Sequence, residues 1–207
     1  ITVEGDNGKR MLNMQQPAVP STLNISTYDD YQFHEVDLTN IAQVGRQWVG
    51  ESFDINQDQE FSFDFPNIDS SVPVKLNASL ASAAYTPTSF KIMANGLDIA
   101  NVPFSALNTN SDIQYFNGAL PNNTTFAGSS NIKIKLSYNN NGVPGSKGFL
   151  DYIQLKAKSK LQGFGKQFHF QYDLSNSSLG VISYDFSNAA TISQIWDVTD
   201  IYNVSKI

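Results

Sequence analysis

Residues 149–173 read FLDYIQLKAKSKLQGFGKQFHFQYD, and this stretch decides the fold class. Residues 150–158 read as a strand that is apolar on both faces near its start. Further on, Phe168, Phe170 and Tyr172 share one face, with Gln167, His169 and Gln171 on the other. That period of two is the mark of a half-buried strand. A polar connection, residues 159–166 with Gly163 and Gly165, separates the two segments. The stretch predicts two strands joined by a loop and holds no active-site motif.

Outward from it the same alternation recurs. Ile132, Ile134, Leu136 and Tyr138 alternate with Lys133, Lys135 and Ser137. Phe61, Phe63 and Phe65 alternate with Ser62 and Asp64, and Pro66 ends that strand. Val72, Val74, Leu76, Ala78 and Leu80 mark another, with Lys75, Asn77 and Ser79 opposite. Apolar runs at 90–94 and 97–104 flank Asn95-Gly96, a strong hairpin signal because both turn positions tolerate positive φ. Pro103 puts the second arm at a sheet edge or near its own end. Shorter strands are predicted at 31–36, 113–116, 181–186 and 194–198. Residues 37–44 predict one or two helical turns capped by Asp37 or Thr39. Residues 1–10 read as a short strand, and 11–30, with Pro17 and Pro20, as an extended connection.

No long segment carries a 3.6-residue period. The fold class is therefore all-β: an antiparallel β-sandwich of jelly-roll type. Residues 1–30 form a leading strand and linker, and 31–207 the sandwich domain. The chain opens at Ile1 in mid-strand character and closes at Ile207 without a tail, so it reads as a fragment of a longer protein.

A chain of 207 residues, 41% hydrophobic, is long enough to build a real core. A domain of this size buries about 70% of its unfolded surface. The net charge of −6 argues against a nucleic-acid partner, which would need a basic face. It also argues against simple electrostatic docking on anionic lipid. Cysteine is absent, so disulfides, thiolate nucleophiles and Cys-based metal sites are excluded. No apolar run reaches the ~20 residues of a membrane-spanning helix.

Asp54, Asn56, Asp58 and Glu60 place oxygen side chains at alternate positions, and these are the calcium candidates. The EF-hand pattern fails, with Gln59 at its glycine and Phe65 at its twelfth position. A solvated acidic loop is the plainer reading. His34 and His169 have no zinc-ligand spacing around them, and no G-x-S-x-G elbow occurs. Trp48, Tyr115, Phe116, Phe126, Tyr138 and Tyr152 could include an aromatic platform for sugars, although aromatics more commonly fill a sandwich core.

Several motifs follow one another along the chain. They are Gly8-Lys9-Arg10, then GRQWVGESF at 45–53, FSFDFP at 61–66 and Asn95-Gly96. FLDYI at 149–153, QFHF at 167–170 and WDVTD at 196–200 follow. This succession, which spans nearly all of the chain, resembles the region just before the catalytic domain of the type IX secretion sortases of Bacteroidetes. Those enzymes are gingipain-like cysteine peptidases (family C25). The resemblance implies a parent at the cell surface, associated with the outer membrane. That parent would remove the C-terminal sorting domain of secreted cargo and join the cargo to lipopolysaccharide. The catalytic Cys and His would lie beyond Ile207, so no catalytic residue is carried over. Arg46, Trp48, Glu51, Asp151, Tyr152, Trp196 and Asp197 are expected to be structural, with Arg46 and Glu51 clamping a loop and Trp48 entering the core. No cofactor is expected. The implied partners are the chain's own peptidase domain, the outer-membrane barrel PorV and lipopolysaccharide. The chain is thus expected to be a non-catalytic domain that positions the peptidase or docks partners. The alternative is a carbohydrate-binding module that holds the lipopolysaccharide acceptor.

Overall fold

A computed structural model of the chain describes residues 10–43, 45–111, 113–173 and 180–207. In chain order the strands are β1 (Leu12–Asn13), β2 (Leu23–Ile25), β3 (Thr27–Glu35), β4 (Ser52–Phe53) and β5 (Asp58–Asp64). Then come β6 (Val74–Ala83), β7 (Thr88–Ala94), β8 (Leu97–Phe104), β9 (Asn117–Ala119) and β10 (Thr124–Phe126). β11 (Asn131–Asn139), β12 (Lys147–Lys160), β13 (Ile182–Tyr184), β14 (Trp196–Asp197) and β15 (Ser205–Lys206) complete the series. The chain divides into two compact units, Thr27–Lys160 and the residues up to Ser26 together with Leu161–Ile207. The division drawn from the sequence at residue 30 falls inside β3.

The Thr27–Lys160 unit is a sandwich. One sheet runs β10-β6-β12-β3, with β4 also on β12 and β9 also on β6. The other runs β5-β11-β7-β8. Every ladder in this unit is antiparallel. Consecutive strands β6 and β7 lie in different sheets, as do β11 and β12, so the chain crosses between layers. Leu76, Leu80, Leu150, Ile153 and Leu155 from the first sheet meet Phe90, Ile92, Ile132, Ile134 and Leu136 from the second, all essentially inaccessible. Each such side chain contributes roughly 1.5–3 kcal/mol by leaving water.

The expected alternation sets these strands. On β11, Ile132, Ile134, Leu136 and Tyr138 are buried while Lys133 is exposed. The β7–β8 hairpin turns at Asn95 and Gly96, with φ of +49° and +82°, as the primed hairpin turn needs. Pro103 lies on β8 at the sheet edge, opposite Ser89. Gly148 is required by packing, because a Cβ there would stand 2.6 Å from Phe90 Cζ and 2.7 Å from Tyr138 Cδ2.

β12 explains its own doubly apolar start. Its register against β6 shifts between Leu150 and Tyr152, so Asp151 is an extra, bulged residue. Before the bulge Leu150 faces the core, and after it Ile153, Leu155 and Ala157 do. A regular strand would present residues 150, 152 and 154 on one face.

Several sequence expectations are corrected. Residues 37–43 form no helix. Thr39 is bridged to Val49, its N–H donating to Val49 O at 2.9 Å and its own O accepting at 2.8 Å, which uses the backbone groups a helix needs. Val44, the last residue of the expected helix, lies outside the described residues. The expected strand at 113–116 appears instead as β9, with Asn117 side-chain bonds to Gln114 and to Ser105 O holding the preceding loop. The connection 11–30 contains β1, β2 and the start of β3. The strand expected over 1–10 falls outside the described residues up to residue 9.

In the second unit, β1–β15 and β13–β2 pair in parallel and β14–β15 antiparallel. Residues 168–172 keep the expected alternation of exposure but join no ladder. Ring contacts accompany this alternation. Phe168 packs on Phe164 at 5.4 Å, and Phe170 on Tyr184 at 5.3 Å and Phe186 at 5.2 Å.

The bulge makes a phase prediction. Deleting Asp151 leaves Leu150 and Ile153 on the core face, whereas deleting Gln154 turns every later residue of β12 over. Circular-dichroism melting is expected to show a cooperative transition for the Asp151 deletion and none for the Gln154 deletion.

Candidate functional site

The motif at residues 45–53 leads into β4 and closes one end of the six-stranded sheet. Gly50 N–H donates to Leu150 O at 2.7 Å, and Leu150 N–H donates to Glu51 O at 2.9 Å. These bonds pin the loop beside the β12 bulge. A Cβ at Gly50 would lie 2.7 Å from Val36 O and 3.2 Å from Leu150 O, so only glycine permits this approach. Val49 is buried with Ala81 and Phe149 in a small second cluster, against which Ile41 and Phe116 pack.

The roles expected within the motif are redistributed. Val49 points inward, so its neighbour Trp48 points out and is 45% exposed rather than entering the core. The Glu51 carboxylate lies 2.8 Å from His34 Nε2 rather than pairing with Arg46. The His34 ring packs on Phe61 at 4.6 Å. Arg46 is exposed and lines an open cavity of about 690 Å3 with Gln47, Asn108, Tyr115 and Phe116. Asp151 is the bulged residue, and Tyr152 stacks on Phe33 at 5.5 Å. In the other unit, Trp196 is 48% exposed and donates to Gln194 Oε1 at 3.0 Å. Asp197 accepts from Thr199 N–H at 3.0 Å, and the Thr199 hydroxyl and N–H hold its carboxyl below the usual value. Burial, with the Asp197 carboxylate adding to it, pushes the Tyr184 phenol up.

The calcium candidates do not converge. Lys135 Nζ lies 2.9 Å from Asp58, Lys133 Nζ 2.8 Å from Glu60 and Lys147 Nζ 3.9 Å from Asp54. Asp58 and Glu60 belong to an ion-paired face of the β5–β11 ladder, while Asp54 lies in the loop before β5, near Lys147 of β12. Among the described residues no group of three metal-ligating side chains assembles. The buried hydroxyls are mutually satisfied. Ser82 Oγ lies 2.8 Å from Thr88 Oγ1 and 2.9 Å from Tyr138 Oη. Asp30 accepts from Ser159 at 2.8 Å and from Tyr28 at 3.3 Å. Burial, and then the Asp30 carboxylate, push the Tyr28 phenol far up. His169 is exposed.

The six aromatics considered as a sugar platform are scattered. Tyr138 is buried, Phe126 packs on the main core and Phe116 on the small cluster. Of the six, Tyr152 alone joins the outward face of β3, β12 and β6, beside Phe33, which is 53% exposed. Phe33 went unnoticed in the sequence because it sits in a strand of mixed polarity, YDDYQFHE.

The paired sheets define an antiparallel β-sandwich domain. No protein-family model matches the sequence, and no curated protein matches it. Its fold matches that of a segment of PorU from Porphyromonas gingivalis, seen in the crystal structure of dimeric latent PorU. The TM-score is 0.78 at 19% identity, over 96% of this chain and 19% of that chain. This chain therefore spans about a fifth of that protein's length. A calcium- and xylotriose-bound CBM36 carbohydrate-binding module aligns over 63% of this chain at TM-score 0.38 and 13% identity, covering 99% of the module. The Podospora anserina GH26-CBM35 mannanase aligns over 63% of this chain and 28% of its own, at TM-score 0.36 and 19% identity. TM-scores this low define no shared fold.

Two predictions follow from the local geometry. Gly50→Ala crowds Val36 and is expected to cost about 1–3 kcal/mol in chemical denaturation, the range for overpacking a tight site. Asp58 is held below the ordinary carboxylate value first by the Ser137 hydroxyl and then by Lys135. Its folded value is below its unfolded one, so its contribution is present at neutral pH and disappears as pH falls through the folded value. An NMR titration is expected to place its midpoint below about 3.9. Ser137→Ala is expected to raise that midpoint.

Proposed function

We propose that this chain is a non-catalytic β-sandwich domain of a cell-surface, outer-membrane-associated sortase of the type IX secretion system. Its work is to position the peptidase domain and dock it to the attachment complex, the barrel PorV being the candidate partner. The parent would remove the C-terminal sorting domain of cargo and attach the cargo to lipopolysaccharide. The observation that carries this reading is the match to a PorU segment over 96% of the chain at TM-score 0.78. The ordered motifs at 45–53, 61–66, 149–153 and 196–200 support it independently of the fold. The chain contains no cysteine, so the thiol chemistry of such a parent would come from other residues. The motif residues serve geometry: Gly50 and Glu51 fasten the loop to β12.

The test is an in-frame removal of this domain from the full-length parent. Cargo processing in cells is expected to fail while cleavage of a short peptide substrate continues. Unchanged processing and attachment of cargo would overturn the proposal.

A further inference from the structure

The outward face of the six-stranded sheet is covered at one end by the 45–50 segment, through Val49 on Ala81 and Phe149. Beyond that cover the register places two rows of outward residues across three strands. One row is Phe33, Gln154 and Asn77, and the next is Glu35, Tyr152 and Ser79. The row beyond Phe33, Gln154 and Asn77 holds Tyr31, Lys156 and Lys75, of which Tyr31 and Lys75 are exposed. Strand spacing of about 4.8 Å and residue rise of about 3.4 Å make this window roughly 10 by 14 Å.

Its chemistry is specific in kind. Phe33 and Tyr152 have ring centroids 5.5 Å apart and planes only 20° apart, with Phe33 53% exposed. Beside them Asn77 Nδ2 donates to Gln154 Oε1 at 3.0 Å, and Asn123 N–H donates to Asn77 Oδ1 at 2.7 Å. These bonds fix both amides and aim them. They use the carbonyl of Gln154 and leave its NH2 without a partner among the described residues. Ser79, Glu35 and Lys75 likewise have none.

We propose that this window is a binding site for an oligosaccharide of two or three sugars. A ring face of the sugar lies on the free face of Phe33, which Tyr152 backs on its other side, while the sugar hydroxyls bond to the Gln154 amide, Ser79, Glu35 and Lys75. The alternatives fit less well. An anionic lipid surface needs clustered free basic charge, and of the two neighbouring lysines Lys75 and Lys156, Lys156 is drawn to Asp29 at 3.3 Å. A protein partner would bury several polar groups that each then require a dedicated bond, at a desolvation cost for each one missed. A polyol supplies donors and acceptors together, and its apolar ring faces match an aromatic pair. This inference does not rest on the sortase reading and would stand if that reading failed.

The test uses the whole chain on an array of neutral and acidic di- to tetrasaccharides. Titration calorimetry then follows with the strongest binder, for the wild type, Phe33→Ala and Gln154→Ala. Both positions are on the sheet surface, so melting temperatures are expected to match the wild type. Specific binding is expected, with at least a tenfold loss of affinity in each variant. The site is overturned if no saccharide binds, or if binding is unaffected by both substitutions. It is also overturned if Phe33→Ala instead dissociates a dimer in light scattering, which would assign the face to a second copy.

Discussion

The structure of the sandwich depends on how β12 keeps its apolar side chains inward over 14 residues while changing neighbours. On one side β12 pairs with β6 from Lys147 to Lys156. On the other it faces β4 at Gly148 and Phe149 and β3 from Tyr152 onward. The gap between those partners is where Asp151 bulges and where Gly50 and Glu51 bond to Leu150. A bulge increases local twist and leaves one residue outside the ladder. Here it lets two strands share one edge of β12 without losing the core face. The 45–53 motif is thus legible as mechanics: a glycine for close approach, a valine for the small cluster, and a backbone turn that completes the hydrogen bonding.

The core that results is aromatic at one end and polar where the polar groups can pair. Phe53, Phe90 and Tyr138 form edge-on and tilted contacts at about 5 Å. Such pairs add about 0.5–1.5 kcal/mol each beyond burial. The Tyr138 hydroxyl would be an unmatched polar group in that setting, and Ser82 matches it. The same reasoning applies at Tyr28 and Ser159, which both donate to Asp30. Unmade hydrogen bonds at these depths cost about 1–3 kcal/mol, more than the bonds contribute when made. The hydroxyls therefore read as conditions of packing.

Strands with clean alternation, such as β11 with Ile132 to Tyr138, were legible because one buried and one wet face leave a period-two record. The Asn95-Gly96 turn was legible because its backbone requires positive φ. Phe168 and Phe170 carry the same record outside any strand, their rings packed on Phe164, Tyr184 and Phe186. Period alone does not report hydrogen bonding. Residues 37–43 misled differently: local caps favour a helical turn, but the bridge from Thr39 to Val49 is a tertiary contact that local chemistry does not encode. The Arg46–Glu51 clamp was inferred from opposite charges in one motif, whereas His34, 17 residues from Glu51, reaches it through the fold.

Tyr152 connects the core to the surface. Counted from Leu150 in strict alternation, Tyr152 would point into the sandwich, where Ile153 in fact points. The extra residue at Asp151 turns it outward, across from Glu35 and within stacking distance of Phe33. One bulge therefore settles two things at once, the inward set that holds the sheets together and the outward ring pair that makes this face chemically distinctive. A change that restored regular pairing of the intact sequence would bury a phenol in place of an isoleucine and strip the face of its ring pair. Fold and surface are coupled through that single backbone irregularity, and for this reason the FLDYI segment carries more information than its length suggests.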